Sequence, residues 1–436
     1  MKFIYHNYKI TQDEEKIYIE YNFEIENLKS FNPKYEILKK GFRWNHIESN
    51  ILKNLVFNLG MVESISYWKA VCCKEFVVEC GFLDEAQQKW YRKLFFLGLG
   101  EFRYVNRITT NEEDFVEFRT IGPKLELENI DLNTSGTIVP IGGGKDSNVT
   151  LELLKDKMDV YPFLINPQDT SLTCIEQAGI QREKVIEINR ILDKGIIELN
   201  EKGYLNGHTP FSSMVAFVST LIAFCLDKSY IALSNENSAN ETNVDGQNIN
   251  HQYSKSKEFE DDFIWYSENF LNIKNRYFSF LRPISELQIA YLFSKYPQYH
   301  KIFKSCNVGS KQKPWIWCGE CPKCLFVYTI LSPFIEKERL IEIFGSDLFE
   351  KARLKDTFVE LLGYGDIKPF ECVGTYSEVR YAASKTIEKS NPLPFLLQYY
   401  KDNYELENTD ESRLHEYNDD NNLPKEFEDV LREAIL

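Results

Sequence analysis

Three consecutive glycines stand before a lysine, an aspartate and a serine in "TIVPIGGGKDS", Thr137–Ser147, directly after a run that reads as a short strand. Glycines there let backbone N–H groups approach an anion without interference from a Cβ, and a helix starting at the lysine would add its positive end. The chemistry this suits is the binding of phosphate. A tight strand-to-helix turn without a ligand is the plainer alternative, although such a turn has little need for three glycines followed by Lys-Asp-Ser. A second cluster, "WIWCGECPKC", sets Cys318, Cys321 and Cys324 in C-x2-C-x2-C spacing, with Cys306 in "FKSCN" available as a fourth ligand. Four thiolates suit tetrahedral zinc, and an iron–sulfur cluster competes for the same ligands. A closed site of four cysteines leaves no open position for substrate, so its expected role is to pin the chain.

Spacing excludes two familiar phosphate motifs. The G-x-x-x-x-G-K-[ST] loop requires Ser or Thr after its lysine, whereas Asp146 follows Lys145. The dinucleotide fingerprint requires a small apolar residue where Ser147 stands, and the second strand ends at Asn166 rather than at a ribose-binding acid. The run Gly142-Gly143-Gly144-Lys145-Asp146-Ser147 instead resembles the "SGGxDS" loop of the PP-loop ATP pyrophosphatases, with glycine in place of the leading serine. That resemblance implies an adenine nucleotide α-hydrolase-like core that cleaves ATP between its α- and β-phosphates. It also implies that the loop amides, Lys145 and Ser147 hold the pyrophosphate and that Asp146 helps to position Mg²⁺. The end of the second strand at "LINPQ", with Asn166, would offer main-chain groups to the adenine.

Further strings extend the likeness: "GMVESISYWKA", "GLGEFRYVN", "GHTPFSS", "FSFLRPISELQIA", "CGECPKCLFV" and "KPFECVG". With "PIGGGKDS" they are similar to the ATP-dependent UDP-N-acetylmuramoyl-L-alanyl-L-glutamate epimerases of peptidoglycan precursor synthesis, from about residue 40 to 380. The resemblance implies inversion of the terminal L-glutamate of a UDP-linked muramoyl dipeptide, with ATP and Mg²⁺ consumed and AMP and pyrophosphate released. The chemistry is coherent, because a Cα–H beside a free carboxylate is a very poor acid and conversion to a neutral acyl-adenylate removes that obstacle. Candidate acid–base groups are His208, His251, Glu236 and Glu241, with His208 favoured. The predicted catalytic set is His208, Glu236 and Asp146. In "SNENSANET", Glu236, Asn240 and Glu241 could also bind Mg²⁺ or cap a helix, and Arg282 and Lys69 could meet anionic groups of the substrate. A PP-loop enzyme that modifies tRNA or a deazapurine is the alternative, since nitrile-forming deazaguanine synthases look similar at the cysteines. A nucleotide sensor without catalysis is another.

The elements that must position these residues follow from periodicity. "KIYIEYNFEI" alternates as a strand does, "ESNILKNLVFNLGMVESISYWKA" is helical, and from Gly136 onward strands and helices alternate, which implies a parallel sheet covered on both faces. The expected fold class is α/β. An α+β N-terminal domain (1–132) precedes the parallel-sheet PP-loop domain with the four-cysteine metal site (133–335), and a mostly helical C-terminal region (336–436) follows. Lys401–Asn422, with few apolar residues, is expected to be a mobile surface segment.

At 436 residues the chain can bury a large core, and its net charge of −15 leaves no excess of positive charge for extended nucleic acid. "MVAFVSTLIAFCL" is too short to span a bilayer and reads as a buried helix, so no membrane partner is expected. The N-terminus meets charged residues before any signal-like apolar run, and the ten cysteines do not form a secreted framework. A cytoplasmic enzyme is expected.

Overall fold

The computed structural model describes residues 1–130, 134–240, 249–274, 276–312 and 314–436. Its strands are β1 (Lys2–Gln12), β2 (Lys16–Ile25), β3 (Lys29–Phe31), β4 (Lys34–Leu38), β5 (Glu75–Val78), β6 (Glu117–Thr120), β7 (Thr137–Pro140), β8 (Val160–Ile165), β9 (Ile186–Ile191), β10 (Tyr230–Leu233) and β11 (Arg276–Ser279). They join in one 11-stranded sheet of order β11-β10-β7-β8-β9-β4-β2-β1-β5-β6, with β3 paired to β2.

The two halves of the sheet differ because their faces are covered differently. In β2 the apolar residues Ile17, Ile19, Tyr21, Phe23 and Ile25 all point to one buried face, and polar residues alternate with them on the other. That period of two is the mark of a sheet packed on one side. From β7 to β11 the strands pair in parallel, and neighbouring residues enter opposite cores. Ile138, Phe163 and Ile231 face the first core, and Val139, Leu164 and Ala232 the second. Helices Asn50–Trp68, Glu85–Gly98, Phe211–Cys225 and Lys257–Tyr266 build the first core. Helices Lys145–Leu154, Glu286–Ser294, Pro322–Leu331, Tyr376–Lys389 and Lys425–Ile435 build the second. The buried helix expected around Met214–Leu226 is Phe211–Cys225, and among the described residues no helix is long and apolar enough to cross a membrane.

β8 and β9 lie to one side of β7, and β10 and β11 to the other. The chain therefore reverses its winding at the carboxyl end of β7, where open parallel sheets leave a crevice for ligands.

Two features differ from expectation. The sheet continues across the boundary expected near residue 132, because β4 pairs antiparallel with β9, Tyr35 opposite Arg190. The junction residues Asp131, Leu132 and Asn133 lie outside the described residues. The stretch expected to be a mobile surface segment, Lys401–Asn422, lies mostly at the surface, but hydrogen bonds tie it to the second core. Gln288 Nε2 donates to the carbonyls of Leu414 (3.2 Å) and Glu416 (2.8 Å), Asn418 N donates to Pro283 O (2.9 Å), and Leu414 is buried. Hydrogen bonds anchor it, and apolar content does not report those.

The seam between the halves is held by a buried ion pair. Arg190 on β9 forms two hydrogen bonds with Glu63 of helix Asn50–Trp68, at 2.8 and 3.0 Å, and Tyr35 on β4 donates to the same carboxylate at 2.6 Å. Breaking a buried pair by removing one partner costs about 3–5 kcal/mol, because the other charge is left uncompensated. Arg190→Met is expected to lower the unfolding free energy by about 3–5 kcal/mol in a denaturant titration, and adding Glu63→Leu to recover part of that loss.

Candidate active site and metal centre

Residues 142–144 carry the chain from the end of β7 into helix Lys145–Leu154. Gly143 has φ +83°, and a Cβ there would stand 3.0 Å from Ser171 Oγ, so the turn requires glycine at that point. Gly142 faces open space. Gly144 is the N-cap and has no side-chain hydrogen bond to offer, which leaves the first helical N–H groups for an anion. In front of the turn opens a cavity of about 440 Å³, lined by Gly142, Gly144, Asp146 and Ser147 and by Phe163 and Ile165 of β8. That volume is in the range of small-molecule sites, roughly 300–1,000 Å³.

The charges around the cavity alternate in sign. Asp146, Glu236 and Glu286 line it, together with Lys255, Lys304 and Lys323. Lys145, expected on the phosphates, is instead 2% exposed, and its Nζ donates to Asp146 Oδ1 and Glu286 Oε2. Burial works against its charge, yet the two carboxylates outweigh it and raise its pKa. Burial likewise opposes the charge of Asp146, which Lys145 and Lys323 hold below the usual carboxylate range. Burial pushes the Glu286 carboxyl up to about 8 against the pull of Lys145, and the carboxylates of Asp146 and Glu236 add to the push. Three carboxyl groups that repel one another beside the free N–H groups of a helix start are chemistry that a divalent cation would relieve. The ammonium groups facing the cavity are Lys255, Lys304 and Lys323, none of which the sequence patterns singled out.

Other expected residues stand nearby in different roles. Asn166, at φ +50°, is tied to β9: its Oδ1 accepts from Arg190 N (2.7 Å) and its Nδ2 donates to Arg190 O (3.1 Å). The apolar side chains before it, Phe163 and Ile165, face the cavity. Ser147 Oγ donates to Gly144 O at 3.2 Å, and Glu236 accepts from Ser238 Oγ at 3.2 Å. Arg282 is fully buried and donates to Glu236 O (2.7 Å), Lys255 O and Ser279 Oγ (3.2 Å), so it shapes the cleft wall. Lys69 donates to Gly207 O, and burial with the nearby Arg190 charge pushes its pKa down to about 8. Glu241 and the side chain of Asn240 lie outside the described residues.

His208 and His251 are not among the residues that line the cavity. His208 and His251 have ring centroids 4.3 Å apart, and His208 Nδ1 stands 3.7 Å from Glu101 Oε2. Burial and the positive charges of His251, Lys69 and Lys255 push His208 down to about 3, so it is a neutral ring and a weak proton acceptor. His251 bonds Glu101 through Nδ1, and although burial opposes its charge, Cys372 and Glu101 push its pKa up to about 9. Cys372 lines the cavity, and its Sγ accepts from Lys255 Nζ at 3.3 Å while its carbonyl accepts from Lys323 Nζ. Burial would raise its thiol, but Lys255, His251 and Lys323 hold it down to about 6.

The four cysteines converge as their spacing predicts. Sγ separations are 3.8 Å for Cys306–Cys321, 3.7 Å for Cys318–Cys324 and 3.5 Å for Cys321–Cys324, and all four sulfurs lie within 4.8 Å of one another. A tetrahedron with metal–sulfur bonds of about 2.3 Å has edges of about 3.8 Å, so the group could hold one metal ion and fits zinc. A cluster of several irons and sulfides would hold its thiolates farther apart. Cys321 is the N-cap of helix Pro322–Leu331, and Gly309 N donates to Cys306 Sγ at 3.1 Å. The cluster thus fixes Lys304 and Ser305 on one side and Lys323 on the other, all lining the cavity. Cys321→Ser is expected to lower the zinc content measured by atomic absorption and the melting temperature together, and chelation of the unaltered protein to reproduce both losses.

The chain matches the MurL N-terminal domain over residues 1–280 and the MurL C-terminal domain over residues 302–402. The cavity is built from both regions, with the turn and Lys255 in the first and Lys304, Lys323 and Cys372 in the second. The UDP-N-acetyl-alpha-D-muramoyl-L-alanyl-L-glutamate epimerase of a Micromonospora species is 33% identical over 338 residues, 76% of this chain and 74% of that protein. The enzyme of the same name from Xanthomonas oryzae pv. oryzae is 33% identical over 335 residues, 74% of this chain and 72% of that protein. That of Salinispora tropica is 32% identical over 340 residues, 76% and 73%. With both domains matched and a third of the residues identical over three quarters of its length, the chain belongs to the MurL family.

Proposed function

We propose that this protein is a PP-loop enzyme that inverts the terminal L-glutamate of UDP-N-acetylmuramoyl-L-alanyl-L-glutamate to D-glutamate through an acyl-adenylate, releasing AMP and pyrophosphate. The observation that carries the reading is the cavity in which a glycine turn, three lysines and three carboxyl groups meet, in a chain whose relatives bear the epimerase name. ATP supplies the adenylyl group that turns the glutamate carboxylate into a neutral mixed anhydride. The amides after Gly142–Gly144 and Ser147 bind the phosphates, with Lys255, Lys304 and Lys323 to compensate their charge. Asp146, Glu236 and Glu286 would hold Mg²⁺, whose charge would favour their ionised forms and screen the phosphates. Phe163 and Ile165 offer an apolar wall to the adenine. Lys145 acts here as the counter-ion that keeps two of those carboxyl groups in place. The zinc proposed for the cysteine centre is structural, since all four of its ligands come from the chain.

Chemically, adenylation lowers the cost of carrying negative charge on the acyl oxygen when the α-proton leaves. Water then hydrolyses the mixed anhydride, which restores the carboxylate and releases AMP, and this consumption of ATP draws an otherwise balanced inversion forward. The ten cysteines, all unpaired, support a reducing cytoplasm as the compartment.

The reading is tested by chiral analysis of glutamate released from UDP-N-acetylmuramoyl-L-alanyl-L-glutamate after incubation with protein, ATP and Mg²⁺. D-glutamate is expected, in step with pyrophosphate, and persistence of L-glutamate while ATP is split would overturn it. Asp146→Asn removes one of the charges about the metal and leaves Lys145 with one carboxylate. It is expected to lower substrate-dependent pyrophosphate release roughly 10²–10³-fold with little change in the circular dichroism spectrum.

A further inference from the structure

We propose that Cys372 is the catalytic residue that removes the glutamate α-proton, with His251 and Glu101 as positioning residues behind it. This rests on the adenylation reading above and adds the group that moves the proton. Cys372 lines the same cavity as Gly142, Asp146 and Ser147, so a carboxylate adenylated at the turn presents its α-carbon within that shared space. Its sulfur accepts from Lys255 Nζ at 3.3 Å, and His251, which bonds Glu101 through Nδ1, stands close enough for its charge to act on the thiol. A thiol with an imidazole beside it and a carboxylate bonded to that imidazole is the kind of constellation that activates thiols in other enzymes.

The comparison with the other cysteines is informative. Outside the metal cluster, burial pushes Cys72 and Cys80 up to about 12 and Cys174 up to about 11, and it raises Cys73 and Cys225 as well. Cys372 alone among these is held down, at about 6, by positive charge from three residues. Lys255 and His251 face it from the turn before helix Lys257–Tyr266, and Lys323 from helix Pro322–Leu331. Among the described residues, Glu101 and the neutral His208 stand beside His251, Glu371 beside Lys323 and His251, and Glu236 and Asp146 beside Lys255. A proton acceptor works best when its pKa lies near the working pH, which favours Cys372 over His208.

In the step itself the Cys372 thiolate takes the Cα proton and becomes S–H. The C–H electron pair moves into the bond to the carbonyl carbon and its charge onto the acyl oxygen, with the ammonium groups of Lys255 and Lys323 in the same wall. A water on the opposite face protonates Cα and inverts it. The hydroxide left by that water is neutralised by the proton that Cys372 releases to solvent, which restores the thiolate.

The test runs the full-length protein with UDP-N-acetylmuramoyl-L-alanyl-L-glutamate, ATP and Mg²⁺ in D₂O. Deuterium at the glutamate α-carbon is read by mass spectrometry and ATP–pyrophosphate exchange in parallel. Cys372→Ser is expected to lose α-deuteration by roughly 10²-fold or more while pyrophosphate exchange persists. In the unaltered protein without nucleotide, iodoacetamide labelling of Cys372, located by peptide mapping, should rise with pH through about 6. Glu101→Gln should move that midpoint upward, which a merely structural role would not do. Undiminished α-deuteration in Cys372→Ser, a labelling midpoint at the ordinary thiol value, or a glutamyl thioester on Cys372 would each overturn the proposal. Loss of both activities together in a variant that retains zinc and its melting temperature would also do so. Absence of substrate-dependent pyrophosphate exchange in the unaltered protein would instead sink the adenylation reading, and the labelling midpoint would still decide on Cys372.

Discussion

A lysine ammonium that is 2% exposed must be paired with anions to stay charged, and the pairing of Lys145 organises the whole site. One partner, Asp146, reaches from the same turn into the cavity, and the other, Glu286, begins helix Glu286–Ser294. The Glu286 backbone N–H in turn donates to Glu378 at 2.7 Å, and Glu378 closes the capping box of helix Tyr376–Lys389 with Thr375. Gly374, just before that cap, packs so closely that a Cβ would stand 2.8 Å from Glu378 and 3.2 Å from Glu286. One buried charge therefore links the phosphate-type turn to the segment that carries Cys372.

The cysteine centre supplies a second fixed point, and it explains why the cations of the cleft sit where they do. Free lysine side chains carry about 2 kcal/mol of rotamer entropy, so three of them gathered around one cavity need rigid attachment. Lys304 follows helix Glu286–Ser294 and sits two residues before Cys306, and its N–H donates to Gly143 O at 3.0 Å. Lys323 sits between Cys321 and Cys324. A metal bound by these thiolates would hold both ammonium stems in register with the glycine turn without touching a substrate. Electrostatic stabilisation of this preorganised kind avoids reorganisation at the moment of reaction.

What was legible in the sequence was what local spacing encodes. β2, β7, β8 and the helices Asn50–Trp68 and Phe211–Cys225 were readable from periodicity, and the turn and the cysteine cluster from fixed offsets between neighbouring residues. The pairing of β4 with β9 was not, because it joins segments about 150 residues apart and depends on the antiparallel register of Tyr35 with Arg190. One of the two partners of Lys145, Glu286, is 141 residues away, so its pairing cannot be read from the glycine run. Cys372 lay within a quoted string, "KPFECVG", yet a single cysteine has no spacing to mark it, and only the approach of Lys255, His251 and Lys323 distinguishes it. His208 was singled out for its residue type, whereas its neighbours decide its basicity.

Lys255 is where the two chemical tasks of the cleft meet. Burial disfavours its charge, and the anions that sustain it come from both sides, Cys372 first and then Glu236 and Asp146. A phosphate chain at the glycine turn would compete with the thiolate for that ammonium, and a weaker hold from Lys255 leaves a more basic sulfur. The same residue that keeps Cys372 ionised thus ties its proton affinity to what fills the turn. Under the proposed reaction, the basicity of Cys372 would depend on the nucleotide that makes the α-proton removable, and adenylation and proton transfer would share one charge rather than two independent sites.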